Sequence, residues 1–221
     1  MKKINSKGFT LIELLAVITI MGILMLVAIP AVSRTIENSR RDTFMNTAKS
    51  YLNAVKNAVA ADEVTCGTDS KVISGLDSGW YYIKFNSNNN SGTDLMEQGG
   101  KSSWGNAAVT GVVMFQKTVE AQRTAYKYYM MMVDEAGRGF GQGDSDVADS
   151  VLGKTVFEEK AIKRGNISAK DDGSSNRKVL ATRFTNASEA GVTMAASYNI
   201  SKADGTTEAQ NAALTLCQLD M

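Results

Sequence analysis

The sequence predicts an α+β architecture: a long N-terminal helix, half of it membrane-embedded, packed on an antiparallel β-sheet head. Three observations predict it. From Phe9 to Ser33 the chain is apolar, with Glu13 as its only charged residue. From Val32 to Val59 apolar residues recur mostly three or four apart. After Cys66, runs rich in aromatic and β-branched residues stand among Ser, Gly, Asn and Asp.

The first run, FTLIELLAVITIMGILMLVAIPAVS, is long enough to span a bilayer as a helix. Lys2, Lys3 and Lys7 precede it and Arg34 follows. That charge asymmetry keeps the N-terminus in the cytoplasm and puts the C-terminal bulk outside. An ordinary secretory signal cut near Ala31-Val32-Ser33 is the competing reading, but the apolar run exceeds the usual h-region and an acidic residue near its start does not suit simple insertion.

The residues Lys7-Gly8-Phe9-Thr10-Leu11-Ile12-Glu13 resemble the prepilin processing site of the type IV pilin superfamily. A short basic leader ends in Gly, Phe opens the mature chain, Glu follows four residues on, and an unbroken apolar run lies behind. The resemblance implies cleavage between Gly8 and Phe9 by a membrane-embedded prepilin peptidase, and N-methylation of the new Phe9 amine. Gly at position 8 suits an extended backbone in a peptidase cleft, although a flexible joint would use the same residue. It further implies the pilin fold, stacking with other copies and with minor pilins on an inner-membrane assembly platform, and a pilus serving adhesion, twitching motility or surface attachment. A pseudopilin of a secretion or DNA-uptake machine shares the same N-terminus, and a membrane-tethered enzyme or binding domain is the third alternative.

Glu13 needs an explanation of its own. A carboxylate in hydrocarbon costs about 2–3 kcal/mol or more, so its retention calls for a partner. Cleavage would supply a cationic amine at Phe9. Within one helix the offset is about 6 Å along the axis, and the resemblance favours pairing with the Phe9 of a neighbouring subunit, making Glu13 a register mark for assembly. Snorkelling of Glu13 to the headgroups is the alternative.

Beyond the membrane, Val32, Ile36, Phe44, Ala48, Tyr51, Leu52, Val55, Ala58 and Val59 form a helical stripe, with charges at Arg34, Glu37, Arg40, Arg41, Asp42, Lys49 and Lys56 on the other positions. The helix is expected to end between Asp62 and Gly67, about 80 Å from Phe9 if straight. Pro30, the chain's one proline, lies inside it, with Gly22 eight residues earlier. The resemblance implies that the stretch from Gly22 to Pro30 is a helix break that unwinds in the filament; a tolerated transmembrane kink is the other reading. The organisation expected is thus leader 1–8, membrane half 9–33, amphipathic half 34–65 and head 66–221.

In the head, 79–85, 110–115 and 126–133 read as strands, the last two joined through a short connector at 120–123 into an antiparallel hairpin, and 178–184 and 192–200 are weaker strand candidates. Segments 86–100 and 137–149 read as loops. The second lacks the Lys-Ser/Thr of a phosphate loop, and Asp144, Asp146 and Asp149 lack the glycine and terminal glutamate of an EF-hand loop, so it reads as a solvated turn rather than a calcium site. Asn-x-Ser triplets at Asn166, Asn186 and Asn199 are expected by chance in so Asn- and Ser-rich a chain.

Composition narrows the function classes. The 221 residues hold no His, which removes a His general base and His-ligated zinc. A net charge of +1 gives no nucleic-acid footprint, and no catalytic residue set, metal or cofactor is indicated. The only two cysteines, Cys66 and Cys217, are enough for one disulfide in an oxidising compartment; two separate buried thiols are the alternative.

Overall fold

A computed structural model describes residues 9–86, 100–105, 108–121, 123–140, 155–169 and 197–219. The strand candidate 178–184, the first residues of 192–200, Asn186 and most of both expected loops lie outside them. The class is α+β, with one long helix, α1 (Leu11–Ala60), and a ten-stranded mixed sheet. Two compact units divide the chain, Met1–Ser39 and Arg40–Met221.

Within the second unit, Phe44, Ala48, Tyr51, Leu52, Val55, Ala58 and Val59 bury one face of α1, as the stripe predicts. Val32 and Ile36, read into the same stripe, instead stay exposed at 55% and 48%. Both belong to the first unit, where every described apolar side chain is exposed.

The helix stops at a left-handed residue. Asp62 has φ 62°, its N–H reaches the Val59 carbonyl, and the next N–H, of Glu63, reaches the Ala58 carbonyl. This pair of bonds is the Schellman arrangement, with Asp where Gly is usual. The Asp62 carboxylate offsets the conformational cost by accepting bonds from the main-chain N–H and the hydroxyl of Ser74.

The strands are β1 (Val64–Cys66), β2 (Lys71–Val72), β3 (Gly79–Asn86), β4 (Val109–Glu120), β5 (Arg123–Asp134), β6 (Gly139–Phe140), β7 (Thr155–Glu158), β8 (Ser197–Ser201), β9 (Thr207–Asn211) and β10 (Leu214–Leu219). They lie in the order β2-β1-β10-β3-β4-β5-β7-β8-β9, with β6 also on β5. The sheet departs from the all-antiparallel expectation at two ladders, β10 with β3 and β7 with β8, both parallel. Each parallel ladder joins strands far apart in sequence, a separation that a tight antiparallel turn does not bridge.

The β4–β5 hairpin is longer than the apolar runs suggested, pairing from Val109↔Asp134 out to Glu120↔Arg123. Its two-residue loop places Ala121 at φ 48°, a region where a Cβ costs about 1–2 kcal/mol. Ala121→Gly is therefore expected to raise stability by about 0.5–1 kcal/mol, after allowing for the greater freedom of Gly in the unfolded chain. Chemical denaturation of the full chain in detergent checks this.

Alternation along the strands builds two cores. Ile83, Phe85, Val113, Phe115, Met130 and Met132 meet the helix, where Tyr51 stacks on Phe85 at 4.3 Å and Phe44 sits 5.4 Å from Trp104 and 6.1 Å from Phe140. Tyr82, Val112, Met114, Tyr129 and Met131 point the other way, into a second cluster with Val156, Ile200 and Leu214. Burial on both faces explains why Tyr129 to Val133 reads as an unbroken apolar run.

Chain connectivity explains the second core. β9 ends at Asn211 and β10 begins at Leu214, so the link between them reaches about 10 Å at most. In the sheet order six strand steps separate them, roughly 28 Å if flat. The sheet must roll, closing its tail over the outer face of β3, β4 and β5. The carboxylate of Glu208 on β9 accordingly interacts with Lys127 and Tyr129 on β5.

One buried carboxylate organises the β5–β6 turn. Asp134, wholly inaccessible, accepts bonds from the hydroxyl of Ser102 at 2.7 Å, the N–H groups of Ala136 and Arg138, and Arg138 Nε at 3.0 Å, while the Arg138 guanidinium lies 5.8 Å from the Trp104 ring.

Candidate assembly segment

The helix begins as its sequence dictates. Thr10 is the cap residue and Glu13 stands at the third helical position, so Thr-Leu-Ile-Glu is a capping box. The Thr10 N–H and hydroxyl both donate to Glu13 Oε2 at 2.8 Å, and the Glu13 N–H donates back to Thr10 Oγ1 at 3.3 Å. Sequence reasoning singled out Glu13 but missed Thr10 as its local partner, although the Thr-x-x-Glu spacing was there to read. The carboxylate therefore has two donors within its own chain and turns back toward the residue after Phe9.

Around this box the surface is apolar and open. Phe9 is 86% exposed, Leu11 83% and Ile12 74%, and Leu14 through Ile29 follow the same pattern. Among the described residues, α1 is the one helix long and apolar enough to cross a membrane. Gly8 lies outside the described residues. α1 is continuous through Gly22 and Pro30, and a Cβ at Gly22 would meet nothing within 4 Å, so no contact within this chain requires glycine there.

At the other end of the helix, Cys66 and Cys217 are joined as a disulfide across 151 residues of sequence. They face each other directly in the antiparallel β1–β10 ladder, both buried. Of the two readings open to the cysteines, the bridged one holds.

Among the described residues no group of three or more His, Cys, Asp or Glu is placed to hold a metal. The phenols of Tyr128 and Tyr129 are pushed up to about 12, chiefly by burial, so they stay protonated at any ordinary pH.

Residues 3–29 match the family model of the prokaryotic N-terminal methylation motif, and the chain thus carries the type IV prepilin signature. No curated protein and no solved structure gives a match. The motif marks a type IV pilin-like or pseudopilin protein and points to a structural subunit rather than an enzyme. It implies processing by prepilin peptidase, and with the apolar helix it fits a membrane-anchored precursor.

Proposed function

We propose that the chain is a structural subunit of an extracellular type IV pilus. It is cut between Gly8 and Phe9, methylated on the Phe9 amine, and stacked through α1 with other copies and minor pilins on an inner-membrane platform. The observation that carries the reading is the methylation motif at 3–29 running directly into an apolar helix whose side chains are exposed along its first half. Such a surface is stable only in lipid or against like helices. On this reading residues 1–8 are the leader, 9–33 the membrane and packing half, 34–65 the amphipathic half, and 66–221 the head. Glu13 is the register charge in the packed core, and the stretch from Gly22 to Pro30 is where the helix yields as subunits pack.

Mass measurement of the mature protein is expected to give an N-terminus at Phe9 carrying one added methyl. An N-terminus between residues 31 and 34 would show a signal peptide and overturn the filament reading. Labelling this subunit on cells then separates the two members of the class: decorated surface fibres support a pilus, and label confined to the envelope supports a pseudopilin.

A further inference from the structure

The β1–β10 bridge depends on a strand that can hardly place itself. β1 has three residues and its outer neighbour β2 only two, so the ladder around Cys66 is short. Yet the loop carrying it is fixed at several points. Gly67 N–H reaches the Leu216 carbonyl at 2.9 Å, Ile73 is fully buried, and the Asp62 carboxylate holds Ser74 twice, at 3.0 and 2.7 Å.

The least expected attachment comes from the middle of the sheet. Lys117 on β4 is 2% exposed, and its ammonium donates to three main-chain carbonyls, Ile73 at 2.8 Å, Ser74 at 3.0 Å and Leu76 at 2.6 Å. Those bonds use all three protons and close the end of the 3-10 turn at Ile73–Gly75. A buried charge met only by neutral carbonyls is a poor source of stability, because an apolar side chain of similar size avoids its desolvation. Its benefit is geometric. Three bonds converging on one nitrogen pin the segment that leads away from β2, which pairs with β1 at Thr65↔Val72 and Cys66↔Lys71.

We propose that Lys117, with Asp62, is a positioning residue for the disulfide: it clasps the loop so that Cys66 already faces Cys217 before oxidation. The bridge then closes on a preformed dithiol. One cysteine thiolate attacks a disulfide oxidant such as glutathione disulfide, releasing one thiol; the other cysteine's thiolate resolves the mixed disulfide and releases the second. The pair thereby gives up two electrons and two protons, and the oxidant is reduced to two thiols.

The test uses the full chain, reduced in detergent micelles and equilibrated with glutathione buffers of graded ratio, with the oxidised fraction read by alkylation and mass measurement. Lys117→Met is expected to keep the circular dichroism of the parent while lowering the effective concentration of the cysteine pair at least tenfold. A folded Lys117→Met chain with unchanged effective concentration overturns the proposal. Independently, in a chain with both Cys66→Ser and Cys217→Ser, the amides of Gly67 and Ser74 are expected to stay protected from hydrogen exchange within about tenfold of the bridged protein. Their exchange at unfolded rates would equally overturn it, and this second measurement decides alone if Lys117→Met does not fold.

Discussion

Replacing Glu13 by Gln is expected to reduce surface filaments at least tenfold while leaving membrane insertion and cleavage after Gly8 intact. The choice of Gln separates two roles that Glu13→Ala removes together. A capping box accepts Gln in place of Glu at the third position, so the bonds from Thr10 survive and the helix start is kept. What Gln lacks is the negative charge that the proposed contact with a neighbouring Phe9 amine requires. Loss of a single charge-paired contact worth about 1.4 kcal/mol already shifts an association tenfold, and every subunit would lose one. Glu13→Ala should fall at least as far. Filament counts by electron microscopy, with immunoblotting for mature subunit in the membrane, check both. Normal piliation with Gln and loss only with Ala would assign Glu13 to helix capping alone.

The second large effect is expected at Gly139. This residue has φ 141° on β6, where a Cβ would stand 2.2 Å from the Met132 carbonyl oxygen, 2.9 Å from Val133 Cα and 3.0 Å from the Phe44 ring. Its N–H and carbonyl exchange bonds with Ser168 at 2.9 and 2.8 Å, so it cannot move aside without breaking them. Gly139→Ala therefore combines backbone strain with a clash in the helix-facing core, and a loss of about 3 kcal/mol or more is expected. Against a usual total of 5–15 kcal/mol that is enough to lower the amount of folded protein. Gly165→Ala is the control: nothing lies within 4 Å of its would-be Cβ, and its stability should stay within about 0.5 kcal/mol. Denaturant midpoints for both variants against the parent settle the comparison.

Features that depend on neighbours in sequence were legible beforehand. The buried stripe from Phe44 to Val59, the helix end near Asp62 and the β4–β5 pairing all follow from periodicity and turn residues. The Thr10–Glu13 capping box is equally local, carried by the Thr-x-x-Glu spacing beside the charge. What could not be read is non-local. That β10 inserts between β1 and β3, and that the sheet rolls over a second core, depends on which distant strands find each other. The unbroken apolar run in β5 says that both of its faces are covered without saying by what. Lys117 was unremarkable in sequence because three carbonyls, rather than an acidic residue at a telling spacing, are its partners.

The Cys66–Cys217 bridge also decides how a pull on the chain would travel through the head. Tension that passes beyond the packed face of α1 reaches β1, and β1 alone would peel from its neighbours one bond at a time. The covalent link passes that load to β10, whose parallel register with β3, from Leu214↔Trp80 to Leu216↔Tyr82, must then slide as a set rather than unzip.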